Sequence, residues 1–237
     1  MKKTRAFFQV NRSVSTGIAL LAALLLTLVF WHFLRPARDL DAIRKSGRVR
    51  VILTYDPVSY FIYKGTPMGY SYELARKFCT DLDLEMDVVL VRDLNKMLPL
   101  LRAGNGDLAA HNLTITGMRK LEVSFTDPIS QTTQVLVQKK DSEKNLVRDI
   151  RQLHGKPVHV RSGSAYYTEL QKLQRSKGIN IDIVTVPGSK NTSQLIRDVA
   201  AGVIAYTVSD RNIAEANRPL YPDLDFETTI SRSMPLA

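Results

Sequence analysis

The sequence predicts an α/β protein with two lobes and largely parallel sheets, behind an apolar N-terminal helix. Three observations carry this. Short β-branched runs alternate with amphipathic stretches of helical period, and the alternation comes as two successive series parted near residues 131–140. The third is Gly17 to Leu34, an uninterrupted run of 18 residues without a formal charge at pH 7. The chain has 237 residues, 44% hydrophobic and 24% charged, which suffices for a sizeable core and excludes wholesale disorder.

Taken in order, residues 40–46 read as a small helix ended by Gly47, and Val49–Leu53 (VRVIL) as a strand. Ser71–Leu82 reads as an amphipathic helix, capped by Ser71, with Leu74 and Phe78 on one face and Ala75 and Leu82 flanking it. A strand at 86–91, a helix at 94–101 closed by Ala103-Gly104, and a short strand at 108–110 complete the first series. Val135–Val137 is a β-branched run leading into the second. There Pro157–Val160 is a strand, and a helix follows from about 164 to 174 with Tyr167, Leu170 and Leu173 marking its buried face. A strand at 181–186, a helix at 192–201 with Leu195, Ile196 and Val199 inward, a strand at 204–208 and a helix beginning at Ile213 finish the series.

The N-terminus reads as a membrane signal. An apolar helix needs about 20 residues, with a range beginning near 17, to cross a bilayer. Four cations (Lys2, Lys3, Arg5 and Arg12) precede the run and hold the N-terminus in the cytoplasm. Trp31 stands at the far end, where an indole favours the interface. A cleaved secretory signal would have a shorter core and an A-x-A-like site; here Phe-Trp-His-Phe-Leu-Arg follows instead. No cysteine lies near the boundary for a lipid anchor. The net charge of +10 is largely local: residues 1–38 hold six cations and no acid, and the remainder holds 27 cations against 23 acids. A nucleic-acid-binding body is therefore not expected.

No catalytic constellation stands out. The single cysteine, Cys79, excludes an internal disulfide and a multi-cysteine zinc site, and His32, His111, His154 and His159 have no metal-ligand spacing. There is no G-x-S-x-G elbow and no P-loop. What does stand out is the polar segment Asn112-Leu-Thr-Ile-Thr-Gly-Met-Arg119 following a short strand. An arginine offers a planar fork matched to a carboxylate, and Thr114 and Thr116 add hydroxyls. Read alone, the residues favour Arg119 as a solvated surface charge and Thr116 as a helix cap. In the second series, Arg161-Ser-Gly-Ser-Ala165 places Ser164 at a helix N-terminus, where free N–H groups favour an anion. Asp210 follows a strand at the carboxyl edge, where open α/β sheets bind ligands. Read alone, Ser164 is a simple helix cap, and the same bland reading applies to Asp210.

In this order the segments resemble the bacterial solute-binding proteins of family 3. The matching residues are Gly47-Arg-Val-Arg-Val51, Gly65-Thr-Pro-Met-Gly-Tyr-Ser-Tyr-Glu-Leu-Ala-Arg-Lys-Phe78, Leu98–Leu101 and Gly106-Asp107. They continue through Leu113–Arg119, Phe125-Thr-Asp-Pro128, Gly163-Ser164 and Val208-Ser-Asp210. The resemblance covers roughly residues 40–237 and implies a two-lobed periplasmic-binding-protein-like fold of type II, here preceded by a single transmembrane helix. It implies that Arg119 grips a ligand α-carboxylate, with Thr114, Asn112 and the helix-start Ser164 beside it. It further implies that Asp210 takes the ligand ammonium and that Tyr60, with Asp56 nearby, covers the ligand side chain. Departures are Gly117-Met118 where the family has Pro-Glu, and Ile204 in place of an acidic residue.

Within the family the chain is similar to the N-terminal modules of membrane-bound lytic murein transglycosylases, through its apolar leader, Asp41–Gly47, Gly69–Ala75 and Asp198–Asp210. The expected function is thus a ligand-sensing module on the periplasmic side of a bacterial membrane. Its partners would be a small zwitterion (amino acid or short peptide), the membrane through residues 17–34, and peptidoglycan through a C-terminal domain that these residues do not contain. No cofactor, metal or catalytic residue is expected. The expected layout is a cytoplasmic stretch 1–16, a transmembrane anchor or uncleaved signal 17–34, a first lobe 40–133, a second lobe 134–227 and a return strand 228–237, after which the chain is expected to be truncated before a terminal helix. A transporter's amino-acid receptor and the input domain of a signalling protein are the alternatives.

Overall fold

The computed structural model describes residues 38–140 and 146–237, together with 17 and 21–23. The anchor expected at 17–34 therefore lies, apart from residues 17 and 21–23, outside the described residues. Among the described residues, no helix is long and apolar enough to cross a membrane.

The first lobe grows from α1 (Leu40–Ser46), whose N-terminal Asp39 accepts from Ala42 N–H and whose end is turned by Gly47 at φ 67°. β1 (Arg48–Thr54) follows and is the middle of a three-stranded sheet, parallel to β4 (Glu85–Val91) on one side and β5 (Leu108–Ala109) on the other. A middle strand covered on both faces needs apolar residues at successive positions. Val49, Val51 and Leu53 pack on one face with Ala75 and Cys79, and Ile52 packs on the other with Met97 and Leu113. Asp107, just before β5, clamps that edge: it accepts from Arg50 N–H at 2.8 Å and Arg50 Nη2 at 2.7 Å, and pairs with Arg38. Burial works to raise the Asp107 pKa, but the bonds from Arg38 and Arg50 outweigh it and hold the carboxyl well below the usual carboxylate range. The hairpin β2 (Phe61–Tyr63) and β3 (Thr66–Met68) leads into α2 (Tyr70–Asp81), and α3 (Met97–Arg102) crosses to β5.

The buried face of α2 differs from the expected one. Ser71, Ala75 and Cys79, at four-residue spacing, are buried, whereas Leu74 and Phe78 are 43% and 47% exposed. The small side chains let the helix lie close on Val49, Val51 and Leu53 of the sheet. The bulky pair is rotated onto the rim of an apolar groove shared with Leu108 and Ile129.

After the short α4 (Gly117–Lys120), β6 (Ser130–Thr132) and β7 (Gln134–Lys139) carry the chain into the second lobe. Its sheet runs in the order β11 (Leu224–Asp225), β7, β10 (Thr207–Asp210), β8 (Pro157–Arg161), β9 (Asp182–Val186). β8, β9 and β10 are mutually parallel, and β7 lies antiparallel to β10 and to β11. α5 (Ala165–Lys177) and α6 (Thr192–Ala200) cover the sheet, with α7 (Arg211–Asn217) beside α6. Leu195, Ile196 and Val199 of α6 are buried, in line with the periodicity. On α5 Leu170 is buried and Leu173 packs against the same core, as expected, but Tyr166 rather than the exposed Tyr167 completes the face, together with Ala165.

The chain returns through Val135↔Thr229 pairing and then β12 (Met234–Leu236), which lies antiparallel to β6. Two adjacent strands thus connect the lobes. The last residue, Ala237, exchanges backbone hydrogen bonds of 3.0 and 3.1 Å with Leu113.

Phe226, fully buried against Val135, Val137 and Ile196, anchors the second lobe where the return segment leaves it. Phe226→Ala is expected to destabilise the protein by about 3–5 kcal/mol, the usual cost of emptying a large aromatic site. Urea unfolding followed by circular dichroism checks this through the midpoint.

Candidate functional site

A cavity lies between the lobes. Asp56, Asn112, Thr114 and Arg119 border it from the first lobe, and Ser164 and Asp210 from the second. The volume open to the centre of a water-sized sphere is about 60 Å³. At roughly 10–15 Å³ per water, that is room for a small molecule and nothing larger with the lobes this close.

The first-lobe wall is held by backbone geometry. β1 ends at Thr54, and the turn after it is folded around Asp56, whose Oδ1 accepts from the N–H groups of Val58 at 3.0 Å and Ser59 at 2.8 Å. Its Oδ2 accepts the Thr54 hydroxyl at 2.5 Å. Thr54 Oγ1, its proton committed to Asp56, stands 3.0 Å from His111 Nδ1, which fixes the proton of that ring on Nδ1. Burial pulls the His111 pKa down to about 4, and the nearby Arg161 and Arg119 charges add to this against the opposing effect of Asp56, so the ring is neutral near pH 7.

The segment 112–116 is stretched along β12: Leu113 pairs with Ala237, Thr114 with Leu236, and Ile115 N–H donates to Pro235 at 3.0 Å. Thr116 then starts α4, its hydroxyl accepting from Arg119 N–H at 3.3 Å. That turn throws the Arg119 side chain back toward the segment. Nη1 donates to the Thr114 carbonyl at 2.8 Å, and Nη2 reaches across the cleft to the Gly163 carbonyl at 2.8 Å. Burial lowers the Arg119 pKa, with Tyr166, Asp210 and Glu122 acting against it.

The second-lobe wall is built from two strand ends. Ser164 occupies the N-cap position of α5 but does not cap it; its Oγ donates to the Arg161 carbonyl at 2.6 Å. Asp210 occupies the N-cap position of α7 and does not cap it either. Instead Asp210 Oδ2 accepts the Tyr166 hydroxyl at 3.1 Å, and the Asp210 backbone N–H donates to the Tyr166 hydroxyl oxygen at 3.2 Å. Asp210 Oδ1 is buried and has no partner among the described residues. Burial pushes the Asp210 carboxyl up to about 6, against the Tyr166 bond and the Arg119 charge that favour ionisation. Burial and Asp210 together drive the Tyr166 phenol well above its ordinary value, so Tyr166 remains a donor.

Six of the seven residues singled out from the sequence border this cavity. Tyr60 does not. It is 8% exposed, packed in the first-lobe core with Val51 and Leu53, and set edge-on to Tyr72 with ring centroids 5.3 Å apart. The turn closed by Asp56 directs Tyr60 inward, since Tyr60 and Asp56 exchange backbone hydrogen bonds of 3.0 and 3.2 Å. The cavity also has residues to which sequence reasoning assigned no role: Arg161, Tyr166, His111 and Ser59. For Tyr166 the signal was present as the four-residue step from Tyr166 to Leu170, both buried.

Comparison with known proteins follows the same outline. The model of the bacterial extracellular solute-binding proteins, family 3, matches residues 48–217. A membrane-bound lytic murein transglycosylase F from Desulfosudis oleivorans is 34% identical over 208 residues, covering 88% of this chain and 45% of the relative. One from Saccharophagus degradans is 31% identical over 210 residues, covering 86% and 40%. The chain thus spans less than half the length of these curated relatives. Among solved structures, holo ArgBP from T. maritima superposes with a TM-score of 0.70 at 26% identity, over 83% of this chain and 84% of that one.

Proposed function

The chain belongs to the bacterial extracellular solute-binding proteins of family 3, and from that premise we propose that it binds a small zwitterion, an amino acid or a short murein-derived peptide, between its two lobes. In this reading it is the ligand-sensing module of a longer protein. Residues 17–34 anchor it on the periplasmic side of a bacterial membrane, and a lytic transglycosylase domain outside these residues acts on peptidoglycan. Ligand occupancy regulates or positions that domain.

The observation that carries the reading is the placement of Arg119 and Asp210 on opposite walls of one cavity, each from a different lobe. A ligand carboxylate is matched by the Arg119 fork, the Thr114 hydroxyl and the free N–H groups at the start of α5. A ligand ammonium is matched by the unpartnered Asp210 Oδ1. Such a ligand touches both lobes and so favours the closed arrangement through contacts that the open one lacks. Calorimetry of the full chain in detergent, with free amino acids and murein peptides, tests the reading; a well-folded sample that takes up none of them overturns it.

The raised Asp210 carboxyl gives a pH signature. An ammonium needs the ionised form, so binding releases the Asp210 proton wherever that proton is still held. Affinity is expected to rise with pH through about 6 and then level off. The same shift acts oppositely on folding. A carboxyl raised above its unfolded value of about 3.9 binds its proton more tightly in the folded state, so stability falls as pH climbs from there through the folded value. Calorimetric titrations on either side of the Asp210 pKa check the first part, and Asp210→Asn is expected to lose the pH dependence. A flat profile in the parent chain removes the ammonium role from Asp210.

A further inference from the structure

Resting on the reading of the cavity as an amino-acid site, we infer that Arg161 is its specificity residue and that the preferred ligand carries a second acidic group on its side chain. Arg161 ends β8, is 4% exposed and borders the cavity. A guanidinium has five N–H donors in a fixed fork. Of these, Nε donates to the Gly188 carbonyl at 2.8 Å, and among the described residues no carboxylate forms an ion pair with the group. A buried cation is costly without a partner of opposite charge. Burial does lower the Arg161 pKa, with Asp56 the strongest opposing influence.

Asp56, on the facing first-lobe wall, is the carboxylate of the cavity with the strongest influence on Arg161, and its oxygens are already engaged. They accept the two backbone N–H groups of Val58 and Ser59 and the Thr54 hydroxyl. Arg119 and Asp210 account for the two charges of an amino-acid backbone. What remains is a cation with free donors facing an anion with few free acceptor sites. A side-chain carboxylate completes the first. A basic side chain would meet Arg161 as a like charge, with Asp56 poorly placed to compensate. A neutral apolar side chain would leave the Arg161 donors unmatched in a desolvated cavity.

The test is calorimetry of the full chain in detergent with aspartate and glutamate, against glutamine, alanine and arginine, each in both configurations. At least one acidic amino acid is expected to bind roughly ten- to a hundredfold tighter than glutamine, the range for one charge-assisted contact. Arg161→Gln is expected to erase that preference, bringing the acidic amino acids down to the level of glutamine. If glutamine, alanine or arginine binds as tightly as the acids, the assignment of Arg161 is overturned and the amino-acid site stands. If Arg161→Gln weakens all ligands alike, Arg161 merely pins Gly188, and the assignment is again overturned. If no amino acid of any class binds, the site reading fails and takes this inference with it.

Discussion

Arg119→Ala and Asp210→Ala are each expected to weaken binding of an amino acid or murein peptide by roughly ten- to a hundredfold, the equivalent of one charge-assisted hydrogen bond of about 1.5–3 kcal/mol. Both proteins should fold, because neither side chain belongs to a hydrophobic core of either lobe. Arg119 has a second consequence. Its Nη2 bond to the Gly163 carbonyl joins the lobes directly, so its removal also loosens the closed state before any ligand arrives. The double variant should lose less than the two single losses combined, since a ligand already released at one end no longer draws the lobes together. Calorimetry of the four proteins gives the cycle. Normal binding by both single variants would leave Arg119 with only its structural bonds to the Thr114 and Gly163 carbonyls.

Gly188→Val is expected to hold the lobes apart. A Cβ at Gly188 would overlap Asp93 Oδ1 and lie 2.5 Å from Asn95 Nδ2, and both of those residues belong to the other lobe. Asp93 cannot swing away freely, because its Oδ1 accepts from the Asn95 N–H at 3.0 Å and so starts the turn into α3. The Gly188 carbonyl also accepts from Leu94 N–H at 3.2 Å across the same seam. Gly163 repeats the arrangement: its Cβ would fall 2.5 Å from Asn95 Oδ1, and its φ of 77° already disfavours any side chain. When only a fraction of molecules can close, the apparent affinity falls in proportion to that fraction. A drop of about tenfold or more is therefore expected if closed molecules become one in ten. Small-angle scattering should show a larger radius of gyration that ligand no longer reduces. Ligand-induced compaction equal to that of the parent would show that the seam yields without resistance.

The order of strands and helices was legible because it rests on period. β1 and α6 bury the residues that their patterns nominate. Which of two adjacent bulky residues turns inward was not legible. Tyr166 rather than Tyr167, and Ala75 with Cys79 rather than Leu74 with Phe78, depend on a rotation of one residue about the helix axis. That rotation is set by how closely the sheet lets the helix approach, a tertiary quantity. The cavity residues named from strand ends and helix starts, Ser164 and Asp210 among them, were legible because a strand edge places them whatever the helix rotation. Tyr60 misled because its direction is fixed by the turn at Asp56, which a linear sequence does not display. Arg161 stood in plain view just after a strand and gave no sign that, among the described residues, no carboxylate would pair with it.

The pairing of β12 has a mechanical meaning. Ala237, Leu236 and Pro235 are bonded on one side to residues 113–115, which lead into Arg119, and on the other to β6 and Ile129 at the crossing between lobes. Tension applied at the carboxyl end therefore runs along strands loaded in shear, where several hydrogen bonds must yield together. Such a joint is stiff. A pull or twist delivered there displaces the Thr114 backbone and the crossing strands as one piece, and the reverse is equally true: rotation of the second lobe about the crossing is delivered, with little slack, to residues 235–237.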